Sequence, residues 1–165
     1  MRNDVIGSVQ TGLWKVYLAW VLFVEAVGAL SGWLTRGGVQ MYNAEITQPP
    51  LSPPSAVFPV VWVVLYALMG IGAARIYMAH DSMMRSRALM VFLVQLAFNF
   101  LWSIAFFNFQ AFGFAFFWLL TLWIMIIAMI WLFYMIDKPA AYMQIPYLVW
   151  VTFAAYLNFG VWRLN

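Results

Sequence analysis

From Phe112 to Ile136 the chain reads FGFAFFWLLTLWIMIIAMIWLFYMI, a run without a single charged residue. A helix needs about 20 apolar residues to cross roughly 30 Å of hydrocarbon, and this run exceeds that length. Helices that are apolar all round belong in lipid or in the centre of a much larger protein. Four further stretches qualify: about Leu13 to Leu34, Ala56 to Ala79, Ala88 to Phe109 and Ala141 to Trp162. Turn or charged residues separate them, at Arg36 to Pro54, His80 to Arg87, Asn108 to Gly113 and Asp137 to Pro139. The expected fold is all-α, a single transmembrane domain over 1–165 made of five helices, with a long first loop at 35–55. The first span is too long for a signal peptide and lacks a clean small-x-small cleavage site, so it reads as a mature helix.

Composition points the same way. The 165 residues are 67% hydrophobic and 8% charged, with a mean hydropathy of +0.90. Soluble domains carry about 25% charged residues, so this chain cannot cover itself with a water-facing surface. The net charge of +3 comes from eight Lys and Arg against five Asp and Glu, scattered mostly between the apolar runs. Nucleic-acid binding needs basic residues gathered on one face, which excludes that function class here. Cysteine is absent, which removes disulfides and thiolate chemistry. Arg2, Lys15, Arg75, Arg85, Arg87 and Lys138 fall on one side of the five spans, and only Arg36 and Arg163 on the other. By the positive-inside rule the N-terminus is expected in the cytoplasm and the first loop outside, if the host is an inner membrane.

No nucleophile with its base, paired carboxylates or metal ligands at workable spacing can be found, so no catalytic residues and no metal site are expected. His80 sits in a short loop beside Asp81 and near Arg85, where a solvated role fits; Asp137 and Lys138 read as a solvated helix cap. Glu25 is the one acid deep in a span. Intramembrane acids are costly and signal function by default, though a protonated carboxyl bonded to a neighbouring helix is the alternative.

Two helix faces carry rings and amides together. Gln95, Asn99 and Ser103 recur every four residues with Trp102 alongside, and Trp150, Ala154, Asn158 and Trp162 do the same with Tyr147 adjoining. Residues four apart share one helical face. In lipid their amides must find partners inside the bundle. Turned toward each other, the two faces either pack or enclose an aromatic cavity suited to a flat hydrophobic ligand. Gly28 and Gly32 form a small-xxx-small pattern that serves packing or dimerisation. The run Pro49-Pro50-Leu51-Ser52-Pro53-Pro54 is too rich in proline to be helical. It reads either as a rigid entry to the second helix or as a lid.

Three segments carry a family resemblance: PPSAVFPVVWVVLYALMG from Pro53, QLAFNFLWSIAFF from Gln95, and PYLVWVTFAAYLNFGVWRLN from Pro146. In this order, over five spans, they resemble the translocator protein and tryptophan-rich sensory protein family, also called peripheral benzodiazepine receptors. The resemblance covers nearly the whole chain. It implies a five-helix bundle, usually a homodimer, binding tetrapyrroles such as protoporphyrin IX, synthetic aromatic ligands and sometimes sterol, without an obligatory cofactor. Carried over by position, the pocket involves Trp62, Asn99, Trp102, Tyr147, Trp150 and Ala154, with the loop around Tyr42 and Asn43 as lid. That set overlaps the two faces found by spacing, which favours a pocket over packing. The chain departs from the family pattern at Met41 and Leu51, where indoles are expected, and at Phe159, where a sterol motif expects tyrosine. The lost indoles weigh against light-driven porphyrin breakdown. A third function class, a small proton-coupled exporter using Glu25, is opposed by the absence of internal repeat symmetry.

Overall fold

A computed structural model describes the backbone from residue 2 to residue 165 and the side chains from residue 12 onward. Arg2, used above for orientation, therefore has a side chain outside the described residues. The helices in chain order are α1 (Arg2–Glu45), α2 (Val57–Met78), α3 (Met83–Ser103), α4 (Phe112–Ile136), α5 (Lys138–Tyr142) and α6 (Ile145–Leu164). A π-helical turn, Ile104–Asn108, continues α3. No strand occurs among the described residues. Five segments are long and apolar enough to cross a membrane, α5 and α6 together forming the fifth.

These helices form because hydrocarbon offers the backbone no water, so each N–H and C=O must bond within its own segment. Local chemistry sets the ends. The Ser82 hydroxyl accepts the Arg85 N–H at 3.1 Å to open α3, and Asp137 accepts the Ala140 N–H at 3.2 Å to open α5. Leu22, Phe117, Ile124, Trp131 and Val149 face outward and are each more than half exposed. Such a surface is stable only against lipid. The chain is an integral, multi-pass membrane protein.

The structure corrects several sequence expectations. Helix α1 runs on to Glu45, so the first connection is residues 46–56 rather than 35–55. Hydropathy marks the end of the apolar run at Leu34, but a helix can continue into the polar interface. Tyr42 and Asn43 therefore lie on a helix, not in a loop. The short connection is fastened to the end of α6. Pro49 is buried against Gly160, the Tyr156 hydroxyl donates to the Pro50 carbonyl at 3.0 Å, and Asn165 exchanges two 3.0 Å bonds with the Thr47 backbone. The Val57 N–H bonds the Pro54 carbonyl at 2.9 Å, so the prolines lead directly into α2 as a rigid entry.

At the opposite end α1 and α2, and α2 and α5, approach closely. A Cβ on Gly70 would lie 2.6 Å from the Val21 Cα, so α1 and α2 meet there backbone to backbone. Gly72 makes room for the buried Gln144, whose amide donates to the carbonyls of Ala140 (3.2 Å) and Leu68 (3.4 Å). Asp137 is not a solvated cap: Arg75 of α2 holds its carboxylate through two nitrogens, one at 3.1 Å. That contact pulls the Asp137 carboxyl below its ordinary value, chiefly through the Arg75 hydrogen bond. His80 stays exposed, with Nδ1 2.9 Å from the Asp81 carbonyl.

Candidate ligand cavity

Between α1, α2, α3 and α6, on the side of the first connection, the bundle encloses a cavity of about 380 Å³. Ligand pockets run from about 300 to 1,000 Å³, so this volume falls at the small end of that range. Its walls differ in kind. Helix α1 contributes Gly28, Ala29, Ser31, Gly32 and Thr35, all small. Facing them are rings: Phe58, Trp62 and Tyr66 from α2, Trp102 from α3, Phe106 and Phe107 from the π-helical turn, and Trp150 from α6. The hollow lies where this small stretch of α1, flanked by Glu25 at one end and Val39, Tyr42 and Asn43 at the other, faces stiff, planar groups.

The rings are held by one another. Trp62 stacks on Tyr66 at 5.2 Å between centroids and meets Tyr147 edge-on at 6.3 Å. Trp102 stacks on Phe106 at 5.3 Å, and Trp150 meets Phe58 edge-on at 5.8 Å. Such pairs add about 0.5–1.5 kcal/mol each beyond area burial. The π-helical turn inserts one residue into the helical repeat, which lets Phe106 and Phe107 both reach Tyr42, at 5.5 and 5.6 Å.

Beneath the cavity runs a chain of buried hydrogen bonds. The Tyr66 hydroxyl donates to Asn99 Oδ1 (3.0 Å), Asn99 Nδ2 donates to the Tyr147 oxygen (2.9 Å), and the Tyr147 hydroxyl donates to Gln95 Oε1 (2.9 Å). A second link joins Trp102 Nε1 to Asn158 Oδ1 (3.2 Å), while Asn158 Nδ2 donates to the Phe112 carbonyl (2.8 Å). These bonds satisfy Asn99, Asn158 and the Gln95 carbonyl, leaving Gln95 Nε2 buried without a partner, and they fix the faces of α3 and α6 against each other.

Of the residues singled out from sequence, Tyr42, Asn43, Trp62, Trp102, Trp150 and Ala154 line the cavity. Asn99 and Tyr147 do not; both are buried in the polar chain below it. Trp162, on the same spacing as Trp150, sits instead against Gly113, Phe116 and Phe117 of α4. Gly28 faces the Tyr66 ring, whereas a Cβ on Gly32 would meet nothing within 4 Å. Within one chain, Gly32 thus makes space rather than contact. Sequence reasoning missed the α1 wall, although Glu25, Gly28, Gly32, Thr35, Val39 and Tyr42 recur at steps of three and four along one face.

The architecture is that of a five-span integral membrane bundle with a ring-lined hollow under its first connection. Residues 20–163 match the TspO/MBR family, and the chain belongs to that family. It is 34% identical to the tryptophan-rich sensory protein of Cereibacter sphaeroides over 150 residues, covering 88% of this chain and 92% of that protein. It is 39% identical to Protein CrtK of Rhodobacter capsulatus over 121 residues, 73% of this chain and 76% of that one. The bovine translocator protein is 30% identical over 154 residues, 92% of this chain and 91% of its own. The first and third of these relatives are named as a sensory protein and a translocator protein.

Proposed function

We propose that this protein is a membrane receptor or carrier that takes flat hydrophobic ligands, tetrapyrroles among them, into the cavity between α1 and the aromatic wall. The observation that supports this most is the cavity itself, where Trp62, Trp102 and Trp150 converge opposite a helix face of small residues. Ring stacking and apolar burial supply the binding energy. The enclosed volume takes a few fused rings, so a tetrapyrrole macrocycle would have to extend out through the mouth, beside Tyr42, Asn43 and Ser55. No nucleophile–base pair faces the cavity, so binding rather than turnover is the proposed role. A homodimer in the bilayer and a cytoplasmic N-terminus belong to the same proposal, the first from family resemblance and the second from the basic residues.

The test is tryptophan fluorescence of the purified protein on titration with protoporphyrin IX. Saturable quenching at micromolar ligand is expected, weakened about tenfold or more by Trp150→Ala. Absence of saturation overturns the reading. Glu25 on the cavity wall keeps the proton-coupled exporter as the second reading. Flux in proteoliposomes that is abolished by Glu25→Gln favours it over a receptor.

A further inference from the structure

Among the described residues, one charged side chain lines the cavity, and it is an acid. Glu25 lines the end away from the first connection, half-buried, three residues before Gly28, which faces the Tyr66 ring. No Lys, Arg or His lines the cavity. Among the described residues, Glu25 forms no salt bridge and no hydrogen bond: the two ion pairs are Arg75 with Asp137 and Arg85 with Asp81. Arg36, the basic residue nearest along α1 toward the mouth, lies over the Trp33 ring at 4.9 Å, and both of those residues are exposed.

A carboxylate at membrane depth is costly and is kept where it has a partner or a task. The remaining lining is aromatic, and ring faces carry partial negative charge that attracts cations. Trp62 and Tyr66 stack near the acid, while Phe58, Trp102 and Trp150 supply the apolar body of the site. An acid set among rings, with no positive charge in the lining, is the chemistry that recognises an organic cation.

We infer that the cavity selects flat lipophilic amines, with the ligand's ammonium against Glu25 and its rings between α1 and the tryptophans. This rests on the reading that the cavity binds flat hydrophobic ligands, and it names the charge such ligands carry at the Glu25 end. A ligand with carboxylates must keep them at the mouth. The selectivity is electrostatic: the acid favours a buried positive charge and opposes a buried negative one.

The experiment uses the purified full chain and three probes sharing one ring system: anthracen-9-ylmethylammonium, 9-methylanthracene and anthracene-9-carboxylate. Binding is read from quenching of tryptophan emission, for the native chain and for Glu25→Gln. The native protein is expected to bind the ammonium about tenfold more tightly than the neutral probe and to bind the carboxylate weakest. Glu25→Gln is expected to bring the ammonium and neutral affinities together while leaving the neutral one unchanged. Equal affinity of the native chain for the ammonium and neutral probes overturns the inference alone, whatever the variant does, as does a preference that survives Glu25→Gln. If no probe, neutral included, binds saturably, the ligand cavity and the inference both fall.

Discussion

The two ends of this bundle are built from the same helices and differ in what their small residues touch. Toward the α5 end, Gly70 lies against the Val21 backbone and Gly72 against the Gln144 side chain, so small residues close the structure. Toward the first connection Gly32 lines the cavity with nothing within 4 Å, while Gly28 meets the Tyr66 ring and Gly38 lies against the Phe107 backbone. Gly70 on α2 and Gly32 on α1 therefore do opposite things, one closing the helix pair and the other leaving it open. The lesson is that close approach depends on what faces a small residue, because contact needs two surfaces.

Breaking that comparison gives the largest expected effect. Gly70→Leu drives a side chain into the α1 backbone, and overpacking of this kind costs on the order of 3 kcal/mol or more. The variant should lose its thermal unfolding transition in detergent or fail to accumulate. Gly32→Leu, by contrast, should shift the midpoint little while filling the cavity and removing ligand-induced quenching. Equal damage from both substitutions overturns the distinction between the closed end and the open one.

The polar chain between the two halves sharpens it. Tyr147→Phe removes one hydroxyl and strands Asn99 Nδ2 and Gln95 Oε1, both buried. Leaving such groups unpaired costs about 1–3 kcal/mol, so the unfolding midpoint should fall by several degrees. Ring packing around Trp62 should be retained, and ligand quenching should weaken less than in Trp150→Ala.

The smallest effect belongs to the Arg75–Asp137 pair. Its side chains are 33% and 22% exposed, and pairs near solvent are worth about 0–1 kcal/mol. Asp137→Asn should lower stability within that range. Because the folded-state value of Asp137 is depressed, the contribution is fully present above the usual aspartate value of about 3.9. It is lost as pH falls through the lower folded-state value. The native chain and Asp137→Asn should therefore differ at pH 6 and converge at the acid end of a stability titration.

Much of this was legible in the chain itself. The span Phe112–Ile136 has the same bounds in structure as in sequence, because hydrocarbon admits no alternative to an unbroken helix. Periodicity also brought Gln95, Asn99, Trp102, Tyr147, Trp150 and Asn158 to the meeting of α3 and α6. It could not say which of them would be sealed in hydrogen bonds and which would face the void, since Asn99 and Asn158 read alike by spacing. Nor could it foresee that Arg36 and Gly37 continue a helix, since hydropathy registers the lipid boundary and not the end of backbone hydrogen bonding.

Sequence alone determined that this chain lives in a bilayer as five spans, because transfer of apolar side chains and satisfaction of the backbone are properties of each segment taken singly. Only the tertiary structure decided where the hollow lies. An empty volume is a property of surfaces that fail to meet, and the small face of α1 acquires that meaning only once α2, α3 and α6 stand opposite it.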